Sequence, residues 1–315
     1  MTALNVKLPG LELKNPVMPA SGTFGFGDDA SSKMYSLDRL GAVVVKTTTL
    51  EERLGNPNPK IGLVRDGAMN AVGLQNPGVE AVIAKKLPAL RAKYPHLPIV
   101  GSVGGSSVED YVTVAQKLSN SGLVNALELN ISCPNVHEGG MEFGTVPEVA
   151  QKVTAAVKAV SKVPVYVKLS PNVTDIVAIA KAVAAGGADG LTMINTILGM
   201  HIDVESGKPN LGNIMGGYSG AAVKPVAIRM IYQVSQVVDL PIIGVGGIES
   251  VDNIIEMFLA GASAVQIGSA HFKDPMICPH LIDQLPARLK ELGYDSIADL
   301  QAKAKARRPF QRGDY

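Results

Sequence analysis

The sequence predicts an α/β fold, a (β/α)8 TIM barrel, from three observations. Eight short apolar runs rich in Val and Ile recur along the 315 residues, and a segment of helical periodicity follows each. Runs are entered through proline at Leu97-Pro98, Val163-Pro164 and Leu240-Pro241, and the backbone before and at proline is held extended. Continuously apolar strands alternating with helices are what a parallel sheet covered on both faces requires.

The first residues alternate around Pro9-Gly10, with Val6 and Leu8 before the turn and Leu11 and Leu13 after it, which predicts a hairpin preceding the barrel. The strands are expected over 17–20, 43–46, 99–102, 126–130, 165–169, 190–194, 242–245 and 264–267. Helices are expected over 36–40, 79–93, 108–121, 147–160, 175–185, 222–238 and 251–259. Pro147 suits a first helical turn, and Gly122, Gly186-Gly187 and Gly261 suit helix ends. Two stretches, 47–77 and 198–219, break the rhythm and are rich in Gly. They are expected as long inserted loops at the C-terminal face of the barrel, serving as lids or binding loops. Residues 279–306 read as closing helices and 307–315 as a mobile tail, so the whole of 1–315 is expected as one domain with 1–15 as its hairpin.

The hydrophobic fraction of 46% against 18% charged residues supplies the core such a barrel needs. A net charge of +1 gives no electrostatic reason to bind nucleic acid or an anionic membrane. No secretory signal is readable at the start and no apolar run approaches the ~20 residues that span a bilayer, so a cytoplasmic protein is expected. Cys133 and Cys278 lack Cys-x-x-Cys spacing, so the chain by itself holds no iron–sulfur cluster. The five histidines show no metal-ligand spacing, and neither a metal site nor a His-based triad is expected.

Barrels of this kind carry their chemistry at the C-terminal ends of the strands. Those positions hold Ser21 and Gly22, Lys46 and Thr47, Ser102, Asn130 with Cys133 just beyond, Lys168, Asn195 and Thr196, Gly246-Gly247, and Gly268-Ser269. A lysine ending a buried strand needs an anionic partner, either a ligand or a carboxylate in an internal ion pair. The glycines ending the seventh and eighth strands stand where barrels hold phosphate against backbone amides, although tight turns use the same residues. Asn70, Asn130, Asn135 and Asn195 offer amide donors and acceptors that suit a small ring of alternating N–H and C=O groups, while any one of them also suits a plain turn. No Gly-x-Gly-x-x-Gly follows a strand: after Gly244-Val245-Gly246, Glu249 stands where the third glycine belongs. Phosphate pocket, strand-end cations, amides and a thiol together suggest a flavin mononucleotide (FMN) enzyme.

With these residues assembled, the chain closely resembles the catalytic subunits of class 1B dihydroorotate dehydrogenases over nearly its whole length. The carriers are Ser21-Gly22-Thr23-Phe24-Gly25, Lys46-Thr47-Thr48-Thr49, the stretch from Asn70 to Gly78, Asn130-Ile131-Ser132-Cys133-Pro134-Asn135-Val136, Val167-Lys168-Leu169-Ser170-Pro171 and Gly244-Val245-Gly246-Gly247-Ile248. The resemblance implies oxidation of (S)-dihydroorotate to orotate in pyrimidine biosynthesis, with Cys133 as the base at C5 and hydride passing from C6 to FMN. It implies that Lys46, Asn70, Ala71, Val72, Gly73, Leu74, Asn130, Asn195 and Thr196 hold the substrate. Ser21, Lys46, Thr47, Ser102, Asn130, Lys168, Ile194, Gly220, Gly246, Gly247, Gly268 and Ser269 would hold FMN. Ser102 departs from the family pattern, which carries Asn there. The loop from Ser132 to Gly140 would carry the base over the bound ring.

Gly139-Gly140, and Leu198-Gly199-Met200 followed by Ile202-Asp203, resemble class 1B. That subclass implies an iron–sulfur and FAD electron-transfer partner, a heterotetramer of two catalytic and two electron-transfer chains, and NAD as final acceptor. A class 1A fumarate-reducing enzyme, a tRNA dihydrouridine synthase and a non-catalytic barrel binding a phosphorylated ligand are the alternatives.

Overall fold

The computed structural model describes residues 2–29, 31–132 and 143–310. The chain opens on an antiparallel hairpin, β1 (Val6–Leu8) and β2 (Leu11–Leu13), turned at Pro9-Gly10 as expected. Two barrel strands follow, β3 (Val17–Pro19) and β4 (Val43–Val44). The chain then leaves the barrel for β5 (Ile61–Val64) and β6 (Gly67–Asn70). It returns through the helices α1 (Val79–Ala81) and α2 (Leu87–Lys93), joined by the π-helical segment Val82–Lys86. Next come β7 (Ile99–Val103), α3 (Val108–Asn120), β8 (Ala126–Asn130), α4 (Pro147–Val160), β9 (Val165–Lys168), α5 (Ile176–Ala185) and β10 (Gly190–Met193). A second excursion holds β11 (Ile197–Met200) and β12 (Met215–Ser219). The barrel finishes with α6 (Lys224–Ser235), β13 (Ile242–Val245), α7 (Val251–Ala260) and β14 (Ala264–Ile267), and α8 (Ile277–Glu291) and α9 (Ile297–Arg307) close the chain.

The eight barrel strands pair in parallel in the order β3-β14-β13-β10-β9-β8-β7-β4. The Gly41 N–H donates to Val17 O at 2.9 Å, bringing the last strand back to the first. Four entry prolines lack an N–H but still accept: Pro16 O from Val265, Pro98 O from Val43, Pro164 O from Leu127 and Pro241 O from Leu191, at 2.8–2.9 Å. Proline at these points keeps the chain extended without costing the sheet an acceptor. The hairpin plugs the floor, where the buried Tyr166 hydroxyl donates to Pro9 O at 2.8 Å. Gly190 lies beside Tyr166 in register, and a Cβ on it would stand 2.4 Å from the ring.

Two expectations are corrected. The stretches 47–77 and 198–219 are not structureless loops: they supply β5, β6, β11 and β12, a separate antiparallel sheet in the order β11-β12-β6-β5. Five glycines in these short strands, Gly62, Gly67, Gly199, Gly216 and Gly217, erase the apolar alternation by which a strand is read, yet they let the backbones approach. A Cβ on Gly216 would lie 2.4 Å from Asn70 O. The tail expected to be mobile from 307 is tied down as far as residue 310. Arg308 donates to Ser235 Oγ at 2.7 Å and to Ala260 O at 3.2 Å, and Phe310 stacks on Tyr232 with ring centroids 5.4 Å apart. Among the described residues no helix is long and apolar enough to cross a membrane.

Candidate active site

The strand ends and the inserted sheet enclose one large cavity at the C-terminal mouth of the barrel, with about 1260 Å³ of empty space including its opening. Its wall includes Ser21, Lys46, Thr47, Asn70, Val72, Gly73, Leu74, Asn130, Lys168, Ile194, Asn195, Thr196, Gly220, Gly246, Gly247, Gly268 and Ser269. Two expected residues stand behind the wall. Ala71 is buried with Met69 and Leu211, and Ser102 is fully buried with its hydroxyl 2.9 Å from that of Thr47. Cys133 and Asn135 lie outside the described residues, as does most of the loop expected to carry the base.

A continuous chain of hydrogen bonds crosses the mouth. Ser21 Oγ lies 3.2 Å from Thr47 Oγ1, which also receives Asn130 Nδ2 at 3.3 Å. Asn130 Oδ1 in turn accepts from the Ser132 hydroxyl at 2.9 Å, and Asn195 Nδ2 donates to Ser132 Oγ at 2.6 Å and to Ser132 O at 3.3 Å. Backbone polarity sets the direction of the chain. The Ser132 carbonyl can only accept, which turns the Asn195 amide nitrogen toward it and leaves Asn195 Oδ1 as the acceptor for a ligand N–H. The Tyr111 hydroxyl, from α3, donates to Asn130 O at 2.9 Å and anchors the end of β8.

The loop after β6 is shaped by Asn76, whose role sequence reading missed. Its Oδ1 accepts from the Thr49 and Gly78 amides, and its Nδ2 donates to Leu74 O and Thr49 Oγ1. Leu74 is held at φ 55°, a conformation unusual for a side-chain-bearing residue, with its neighbours on the cavity wall. The Asn76-Pro77 dipeptide was the available signal. Asn70 joins this loop to the second excursion through Nδ2 to Gly217 O at 3.2 Å, and a Cβ on Gly217 would collide with Thr196 Oγ1.

Inside the barrel, Lys168 has the carboxylate partner its position demanded. Glu128 Oε1 lies 3.6 Å from Lys168 Nζ, both side chains being buried, and Gln266 Nε2 donates to Glu128 Oε2 at 2.6 Å. Sequence reading missed Glu128 because it is the single charge in an apolar strand, with nothing local to say which way it points.

The phosphate end is made of backbone. Gly246 and Gly247 hold φ of +135° and +69°, and a Cβ on Gly247 would stand 2.7 Å from Lys224 Cβ. Gly268 is the reverse: a Cβ added there meets nothing within 4 Å, because that side is open. Tight backs with an open front make a cradle into which a phosphate fits and which a side chain would fill. The residues present therefore fit FMN: the glycine turns offer backbone amides for a phosphate, and Thr47, Asn130 and Lys168 offer polar groups for a ring.

The dihydroorotate dehydrogenase family model matches residues 3–289. Dihydroorotate dehydrogenase B (NAD(+)), catalytic subunit, of Anoxybacillus flavithermus is 60% identical over 304 residues, 96% of each chain. Dihydroorotate dehydrogenase A (fumarate) of Lactobacillus helveticus is 58% identical over 305 residues, 97% of this chain and 99% of that protein. The B-type catalytic subunit of Enterococcus faecalis is 58% identical over 297 residues, 94% of this chain and 95% of its own length. Matched over nearly its full length by the family model and by these relatives, the chain belongs to the dihydroorotate dehydrogenases, a family of FMN-dependent oxidoreductases.

Proposed function

We propose that this chain is the catalytic subunit of an NAD-linked dihydroorotate dehydrogenase working in the cytoplasm, with Cys133 as its base. The observation that carries the assignment of residues is the single cavity joining the glycine cradle on β13 and β14 to the amide rim on β8 and β10. Substrate is held by Lys46, Asn70, the Val72 to Leu74 loop, Asn130, Asn195 and Thr196, with Ala71 packing behind them. The flavin is held by Ser21, Lys46, Thr47, Asn130, Lys168, Ile194, Gly220, Gly246, Gly247, Gly268 and Ser269, with Ser102 acting through Thr47. Two-electron acceptor chemistry is what FMN supplies when bound.

The protein's own contribution is orientation and proton transfer. Asn195 Oδ1 would receive a ring N–H of the substrate, since its amide nitrogen is taken by Ser132. Cys133 follows Ser132, the residue that ties Asn130 to Asn195, so the base enters the sequence at the point where the substrate amides are locked together. Its thiolate takes the C5 proton and holds it at Sγ.

NAD as final acceptor implies a partner subunit carrying FAD and a [2Fe-2S] cluster, in an assembly of two catalytic and two electron-transfer chains. The class 1B form of Gly139-Gly140 and of Leu198 to Asp203 supports this. So does the exposure of Leu63, Leu198, Met200, Val204 and Met215 on and around the inserted sheet, where apolar side chains suit a protein contact better than water. Similarity to the fumarate enzyme of Lactobacillus helveticus supports a second reading, a self-sufficient enzyme that reduces fumarate.

One titration separates these. Dihydroorotate should bleach the flavin absorbance of the purified chain without oxygen, and fumarate should fail to restore it. Restoration by fumarate favours the second reading, efficient NAD reduction by the single chain removes the need for a partner, and absence of bleaching defeats both.

A further inference from the structure

His271 is a buried imidazole, 4% exposed, with no place in the chemistry above. It lies on the short 3-10 turn Ser269–Phe272 that follows Gly268, at the phosphate end of the cavity. Its ring lies within hydrogen-bond distance of two partners, with the Ile267 backbone a further, weaker contact. Nδ1 lies 3.0 Å from Gly268 O, and Nε2 lies 3.4 Å from Sγ of the fully buried Cys278 on α8. The ring also packs on Phe24, with centroids 5.6 Å apart, and so reaches the Ser21 to Gly25 loop on the neighbouring strand end.

A carbonyl oxygen only accepts, so Nδ1 carries the proton and Nε2 is the acceptor for the Cys278 S–H. Burial raises the Cys278 thiol above its ordinary value and, with desolvation as the leading cause, lowers that of His271. The pair is therefore neutral, thiol to imidazole, and sealed from the cavity. It is not a second nucleophile.

What it does follows from the carbonyl it grips. Gly268 O already accepts from the His271 backbone N–H at 3.1 Å, which is all the turn requires. The ring adds a second donor to the same oxygen and fixes the plane of the Gly268–Ser269 peptide. In a planar trans peptide the C=O and the following N–H point in opposite directions. Holding Gly268 O back toward His271 therefore presents the Ser269 N–H on the opposite side. Ser269 lines the cavity, its amide has no hydrogen-bond partner among the described residues, and Gly268 beside it is open-fronted.

We propose that His271, braced by Cys278, is a positioning residue that turns the Ser269 amide onto the flavin phosphate. The inference rests on the FMN reading above. Packing alone would need only the ring shape against Phe24, whereas positioning needs the Nδ1 donor.

The test compares FMN with riboflavin, which lacks the phosphate, titrated into the full chain stripped of flavin. Loss of an amide aimed at a charged group is worth about tenfold in affinity. His271→Phe should weaken FMN about tenfold and leave riboflavin within about twofold. His271→Asn, whose amide nitrogen takes the place of Nδ1, should restore most of the FMN preference. Equal weakening of both flavins, an unchanged ratio, or failure of His271→Asn to rescue overturns the proposal. If His271→Phe does not fold, Cys278→Ala decides by the same ratio: a fall of about threefold supports the brace, and an unchanged ratio overturns it. A wild-type chain that binds neither flavin defeats the FMN reading and this inference with it, while tight wild-type FMN binding with unmoved variants defeats this inference alone.

Discussion

Lys168 Nζ stands 3.6 Å from Glu128 Oε1 in the interior of the barrel, and each is the other's only opposite charge among the ion pairs of the described residues. The two strands are neighbours, so closing the sheet brings the charges together. Their attraction offsets a desolvation cost of several kcal/mol per ion.

Breaking that pair from one side should be expensive. Lys168→Met leaves Glu128 charged and buried, and we expect a loss of about 3 kcal/mol in unfolding free energy. The double variant Glu128→Gln, Lys168→Met removes both charges and should recover most of it. Urea denaturation of the flavin-free chain measures both, and equal stability of the single and double variants would show that the pair is not coupled.

The two glycine turns should respond oppositely to a side chain. Gly268→Val projects into open cavity space, so the melting temperature without flavin should hold while FMN binding is lost. Gly247→Ala meets Lys224 Cβ at 2.7 Å with a backbone at φ +69°, and the flavin-free fold itself should weaken by about 1 kcal/mol or more. Thermal melts with and without FMN distinguish the two outcomes.

Ser132→Ala removes the hydroxyl between Asn130 Oδ1 and Asn195 Nδ2. The Ser132 carbonyl still orients Asn195, so binding should weaken without vanishing. We expect orotate affinity to fall about tenfold, read from the flavin spectral shift, with FMN affinity little changed. An orotate affinity equal to wild type would mean that the backbone contact alone holds the amide.

Cys133→Ser should keep FMN and lose turnover by orders of magnitude. A thiol with an ordinary pKa of about 8.5 is only a few per cent ionised at neutral pH. The thiolate is the active form, so the bleaching rate should rise about tenfold per pH unit below the pKa and level above it. Near-normal turnover of the serine variant at pH 7, or a flat profile, would remove Cys133 from the mechanism.

Much of this site was legible before the fold. Lys46, Asn130, Lys168, Asn195 and the Gly246-Gly247 pair were visible as misfits, polar or glycine residues ending strands whose interiors are apolar. The roles of Glu128 and Ser132 were not, because Glu128 meets Lys168 and Gln266, and Ser132 meets Asn195, across strands that no local pattern brings together. Gln266 reaches Glu128 across 138 positions, and Asn70 reaches Gly217 across 147.

By itself the sequence determined the alternation of strand and helix, the parallel sheet and the residues at its C-terminal ends, since these depend on periodicity over a few residues and on the fixed backbone preferences of proline and glycine. The tertiary structure decided which strand ends face one another, that two apparent loops form a second sheet, and which carboxylate answers Lys168. Those depend on how the barrel closes, and closure is a property of the whole chain at once.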